Sequence, residues 1–153
     1  MKTLARPGDK TEILRRLRDV RPDSARRWGR MSAPQMVCHL ADAFRMGLGQ
    51  KPVRQVAGLL NRTIVKFIAL YAPLRWPPGI LTRPEIDQEV TGTRPCGDFA
   101  TDMAQVEALV EVFTSPNAGF DWPSHPIFGK MSHGDWMRWG YLHTDHHLRQ
   151  FGA

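Results

Sequence analysis

Cysteine is scarce: Cys38 and Cys96 are the only two in 153 residues. Two thiols cannot build a disulfide framework, and a reducing compartment suits them better. Long apolar runs are missing as well. The best candidate for a membrane span, residues 56–74, carries Arg62 and Lys66 inside it, whereas a span needs about 20 mostly apolar residues. The opening MKTLARPGDK holds no apolar stretch of signal-peptide length. These absences predict a soluble, cytoplasmic protein with no membrane partner. There is no CxxC, no phosphate-binding glycine loop, no G-x-S-x-G and no H-E-x-x-H, so several common catalytic classes drop out. No segment sustains the period-2 alternation of a half-buried strand, and no internal repeat or low-complexity stretch occurs.

What is present is ordinary globular material. Hydrophobic residues make up 42% and charged residues 24%, which excludes a disordered chain. The length suits one domain over residues 1–153, large enough for a core without covalent staples. The net charge of +6 is carried entirely by residues 1–30, where ten Lys/Arg stand against four Asp/Glu; the remaining residues balance at eleven of each. A basic segment invites a nucleic-acid reading. This one has a single aromatic, Trp28, and the solvated face of a first helix accounts for it better than a nucleic-acid patch, which stays as the alternative for residues 1–30.

Proline punctuates the chain. The twelve prolines leave five proline-poor runs, at residues 8–21, 35–51, 53–72, 96–115 and 127–153, each long enough for a helix. Ser32-Ala33-Pro34-Gln35 places a capping hydroxyl three residues before Gln, with Pro in the first turn; Ser132-His133-Gly134-Asp135 repeats the idea with an acid. Helices are therefore expected near 33–48 and 133–150. Asp98 is expected to cap a third over 99–113, with Met103, Val106, Leu109, Val110 and Phe113 as its apolar stripe. Thr11 to Val20 reads as a short basic helix and Val53 to Tyr71 as another. Residues 73–97 hold five prolines and three glycines and read as a long irregular crossover. The expected class is all-α, a helical bundle with one long connection.

The chemistry concentrates in HGDWMRWGYLHTDHHLRQFG. On a wheel of about 100° per residue, Trp136, His147 and Gln150 lie within about 40° of His143, and Trp139, Gly140 and His146 flank them. Arg138, Tyr141, Asp145 and Arg149 take the opposite, charged side. An i, i+4 histidine pair sets two imidazoles one turn apart, able to converge on one ion. His39 is the best candidate for a third ligand, because it shares an otherwise apolar stripe with Gln35, Met36, Ala43 and Met46. Spacing leaves the plainer alternative open, a core histidine satisfied by a hydrogen bond. Asp42, one turn on from His39, is a candidate to accept from an imidazole N–H or else a surface carboxylate. Gln150 is placed to orient a ligand or a water. Trp136, Trp139 and Trp122 read first as core, with Trp136, on the His143 face, also a candidate to line the site's pocket. His125 and His133 sit in a Pro-rich loop and at a helix start, either able to line the mouth of a pocket.

An early core-facing histidine followed by His143-Thr144-Asp145-His146-His147-Leu148-Arg149-Gln150 resembles the DinB-like superfamily, whose name derives from DNA-damage-inducible genes. The segments RWGRMSAPQMVCHLADAFR, TRPEIDQEV and HPIFGKMSHGDWMRWGYLHTDHHLRQFG look like an uncharacterised bacterial branch of it. The resemblance implies a four-helix bundle, often a homodimer, with a three-histidine metal site. It carries His39, His143 and His147 onto the ligand positions. His146 falls beside the last ligand and is not expected to bind the ion. The usual pattern often has Gly between the basic residue and Gln; Arg149-Gln150 departs from that, which leaves the role of Arg149 open.

Three neutral imidazoles leave a coordination position free, as catalytic zinc sites do, and suit zinc or nickel, with iron a further option. Two readings follow. One is a metal-dependent transferase or hydrolase that activates a low-molecular-weight thiol or a water towards a small-molecule substrate. The other is a non-catalytic metal- or small-molecule-binding bundle of a stress-response type. The helices offer no other evident general base. That weighs against hydrolysis and less against thiolate transfer, which asks for less proton chemistry. No catalytic residue beyond the ligands can be assigned from the sequence.

Overall fold

The computed structural model describes residues 1–56, 58–115 and 120–153. Among these the chain is helical, with no strand; one isolated bridge joins His125 and Gly129. The helices are α1 (Pro7–Asp19), α2 (Ala33–Gly47), α3 (Lys66–Tyr71, continuous with a wider π-helical turn over Asn61–Val65), α4 (Phe99–Phe113) and α5 (His133–Gln150).

The start signals work as their chemistry requires. At α2 the Ser32 hydroxyl accepts from the Gln35 amide, and the Gln35 side chain accepts from the Ser32 amide. Ser132 and Asp135 repeat that reciprocal cap at α5. Asp98 accepts from the Ala100 amide at the head of α4. Each cap satisfies amides that a helix start would otherwise leave orphaned. The first helix begins four residues earlier than Thr11, because Pro7 supplies a preset φ at its first turn.

The helix expected over Val53 to Tyr71 is shorter than that reading. Residues 53–56 and 58 are not helical, and residue 57 lies outside the described residues. The amides here have other acceptors: Val56 N–H donates to the Pro126 carbonyl, and Arg54 N–H donates to the Glu85 carboxylate. The segment is thereby tied to two loops, and turns begin only after Gly58.

Helix α2 packs on α4 and α5, while α1 and α3 pack on α5. The core runs through Ile13 and Leu17 of α1, Met36, Val37, Leu40 and Phe44 of α2, Val106, Val110 and Phe113 of α4, and Trp136, Met137, Trp139 and Leu148 of α5. The charged side of α5 is not simply solvated. Asp145 pairs with Arg16 at 2.8 Å and with Arg149 at 2.9 Å, and Tyr141 is buried against α1. Of the ten cations before residue 31, Lys2, Lys10, Arg15, Arg16, Arg18 and Arg30 stand in ion pairs. The basic segment is largely compensated by carboxylates of this same chain.

Residues 73–97 form the expected irregular crossover, broken by one 3₁₀ turn at Pro84–Ile86. Asp42, wholly buried on α2, anchors it. Its carboxylate accepts from the Thr93 amide and hydroxyl, both at 2.7 Å, and from the Gln88 amide group at 3.1 Å, with Lys51 and Arg45 beside it.

Gly47 and Gly140 permit close approaches, a Cβ on Gly47 standing 2.7 Å from Phe113 Cε2. A Cβ on Gly140 would stand 2.7 Å from Leu4 Cδ1 and 3.3 Å from Phe113 Cε1, while one on Gly8 in α1 would meet nothing within 4 Å. Gly140→Ala should therefore cost about 1–3 kcal/mol through overpacking. Gly8→Ala should instead gain about 0.5–1 kcal/mol by helix propensity. Urea denaturation of both variants checks this, and the same sign of change at both positions would contradict the packing described.

Candidate metal centre

The three imidazoles of His39, His143 and His147 meet although they come from helices 104 residues apart in sequence. Their ring centroids are separated by 5.0 Å (His39–His143), 4.6 Å (His39–His147) and 4.9 Å (His143–His147). One nitrogen from each lies within 4.8 Å of the other two. His39 and His147 are buried, while His143 keeps a partly open edge.

The outer nitrogens are held from behind. His39 Nδ1 lies 2.7 Å from the Ile86 carbonyl oxygen, which can only accept, so Nδ1 carries the proton and Nε2 turns a lone pair inward. His147 Nδ1 lies 2.9 Å from Gln150 Oε1, whose amide group in turn donates to the Trp28 carbonyl. That second bond orients the glutamine so that its oxygen faces the imidazole, and His147 is fixed in the same tautomer. His143 stacks on Trp139 with planes 10° apart, which sets its ring direction. Backing each ligand's far nitrogen is how metal-binding histidines are commonly aimed.

The consequence is electrostatic. His39 Nε2 and His143 Nε2 are 3.1 Å apart. A proton on His143 Nε2 would satisfy that pair and leave His147 facing inward alone. One cation satisfies all three at once. Nitrogens bound tetrahedrally to zinc at about 2.0–2.1 Å stand about 3.3 Å from one another, close to the His39–His143 separation. Burial holds all three imidazoles below their usual value of 6.5, and in His143 and His147 the neighbouring histidines push further in that direction. They are thus kept neutral, the state in which histidine ligates. The donor set therefore fits a divalent ion.

Above the trio opens a cleft of about 470 Å³. Its floor is histidine and Trp139; its walls come from α3 and the crossover, with Trp76, Ile80, Leu81 and Ile86 prominent. His146 lines this cleft and a smaller neighbouring one of about 350 Å³, without joining the trio.

The other candidates fall elsewhere. Asp42 accepts from no imidazole, because its carboxylate is committed to the crossover. Trp136 shares the angular position of His143 but sits seven residues back, about 10 Å along the axis. It is completely buried among Phe113, Trp122, His125 and Trp139, and it lines neither cleft. His133 is exposed at the head of α5, against Trp122. His125 is buried, and burial pushes it down to about 3. It lines the cleft, and its Nδ1 accepts from the Ile127 and Phe128 amides. Cys38 is buried in α2 and pushed up to about 12 by burial, so it offers no thiolate.

A family model described as "Protein of unknown function (DUF1569)" matches residues 7–153. The chain belongs to this family. No curated protein and no solved structure matches it. The matched span contains all three converging histidines and both helices that carry them, so the cluster lies inside the family domain.

Because the buried imidazoles titrate below 6.5, the unfolded chain takes up their protons first as pH falls. Their contribution is complete above about 6.5 and is lost progressively below it. Zinc or nickel at a hundredfold excess over Kd should add about 2.7 kcal/mol at neutral pH, and less at pH 5.5, where protons compete. His147→Ala should abolish that gain, and His133→Ala should keep it. Thermal melts with and without metal at the two pH values read both effects; an undiminished gain in His147→Ala would overturn the ligand set.

Proposed function

We propose that this chain is a metal-dependent enzyme of the DinB-like type, a four-helix bundle in which His39, His143 and His147 hold one divalent ion, zinc or nickel in preference to iron. The observation that carries the reading is the convergence of three inward-facing nitrogens, two of them pinned from behind, on the floor of an apolar cleft. A site meant only to stabilise the fold would be closed by a fourth protein ligand. Here the three histidines line the cleft, and among the described residues no fourth ligating side chain joins the cluster.

A divalent ion bound there supplies a Lewis acid that holds a thiol as thiolate or lowers the pKa of a water towards about 7. The protein's own contribution is positioning and an apolar lining. Ile86 and Gln150 fix the ligand tautomers, Trp139 sets the His143 ring, and apolar side chains make up most of the cleft wall. Among the described residues no carboxylate lines the cleft, and His125 is too weak a base to collect a proton at neutral pH. Transfer from a low-molecular-weight thiol to a small electrophilic substrate is therefore favoured over hydrolysis. We place the protein in the cytoplasm, as one domain over residues 1–153, with a homodimer as its assembly.

The test loads the protein with zinc or nickel and follows glutathione or cysteine with a small aromatic electrophile. Metal-dependent thiol consumption is expected, reduced at least a hundredfold in His143→Ala. Cobalt-loaded protein should develop a thiolate charge-transfer band on adding thiol. Stoichiometric metal binding with neither band nor turnover would favour the non-catalytic bundle instead.

A further inference from the structure

The cleft has charge of one sign. Among its described lining residues the permanently charged side chains are Arg75 and Arg83, and both are cationic. Arg83 stands 3.8 Å from Glu85, and its Nε has no hydrogen-bond partner. Arg75 is exposed at the rim. Both belong to residues 51–84, a stretch with six Lys/Arg and no Asp or Glu. Lys51 and Lys66 of that stretch meet Asp42 and Asp135 from other elements, so the surplus is left at Arg54, Arg62, Arg75 and, in part, Arg83.

The same stretch is unusually apolar at its surface. Ile68 is 51% exposed, Leu74 66% and Leu81 88%, and all three line the cleft. A cationic ligand would meet two guanidiniums and no carboxylate to repay its lost hydration. A neutral apolar one would gain only from area. A ligand with an apolar body and one anionic group satisfies both features, because guanidinium pairs strongly with carboxylate-like groups.

We propose that the cleft binds amphiphilic anions: molecules with a medium-length acyl or comparable apolar body and a single carboxylate-like group. The body lies against Ile68, Leu74 and Leu81, and the anionic group faces Arg75 and Arg83. This rests on the proposed function in one respect, that such an anion is the substrate class of that site. The binding itself needs no metal.

Decanoate, decanol and decyltrimethylammonium share one chain and differ in head charge. Their affinities are read by calorimetry and by the fluorescence of Trp76 and Trp139, on chelator-treated protein and on zinc-loaded protein. Decanoate should bind the chelator-treated protein at least tenfold tighter than decanol, and the cation should not bind. Shortening the acid to octanoate should weaken it by about fourfold per methylene. The Arg75→Gln/Arg83→Gln variant should lose the preference for the acid while keeping its affinity for decanol, and the single Arg75→Gln change, at an exposed position, should show the same trend without risk to the fold. Equal affinity for the three heads, preference for the cation, an unchanged preference in these variants, or decanoate binding only when zinc is loaded would each overturn the proposal. A zinc titration of the same chelator-treated sample separates the two readings: zinc failing to bind while the decanoate preference persists removes the metal reading alone.

Discussion

Two imidazole nitrogens, on His39 and His143, are held 3.1 Å apart in a largely dry interior. The Ile86 carbonyl behind His39 and the Gln150 amide oxygen behind His147 take up the outward protons. What remains is a concentration of inward lone pairs that only a positive charge can satisfy together. The rest of the structure can be understood as the frame that maintains this arrangement against its own repulsion. Helices α2 and α5 carry the rings, and the crossover delivers the one backbone carbonyl that fixes a tautomer.

That dependence explains why the crossover is so firmly tied despite its proline content. Ile86 is followed at once by two anchors. Arg30 pairs with Asp87 and, at 3.3 Å, with Glu89; Asp42 collects Gln88 and Thr93. A buried carboxylate at residue 42 would be costly unless fully engaged, and its engagement holds the connection whose 3₁₀ turn presents the Ile86 carbonyl to His39. The same connection supplies Trp76, Ile80, Leu81 and Arg83 to the cleft. Fixing the imidazole geometry and shaping the cleft are thus one structural act.

Much of this was legible in the sequence where local chemistry decides the outcome. Ser32 with Gln35 and Ser132 with Asp135 mark helix starts to the residue, because the cap is a contact between near neighbours. The periodicity that put His143 and His147 on one face, and His39 on an apolar stripe, survives because a helix turns by a fixed angle. What was not legible depends on tertiary partners. Val56 and Arg54 donate their amides to Pro126 and Glu85, so that stretch forgoes its helix. Trp136 shares the angle of His143 but not its height, and a wheel projects height away. Asp42 finds the crossover instead of an imidazole. The Ile86 carbonyl has no side-chain signature at all, whereas His125, read as able to line the mouth of a pocket, does line the cleft.

Elemental analysis reaches the central claim most directly. Protein purified without an affinity tag is dialysed against zinc, freed of excess, and analysed beside His143→Ala treated identically. The account predicts close to one equivalent of zinc per chain in the parent and almost none in the variant. Equal zinc in the two proteins, or a parent that retains none, would contradict it.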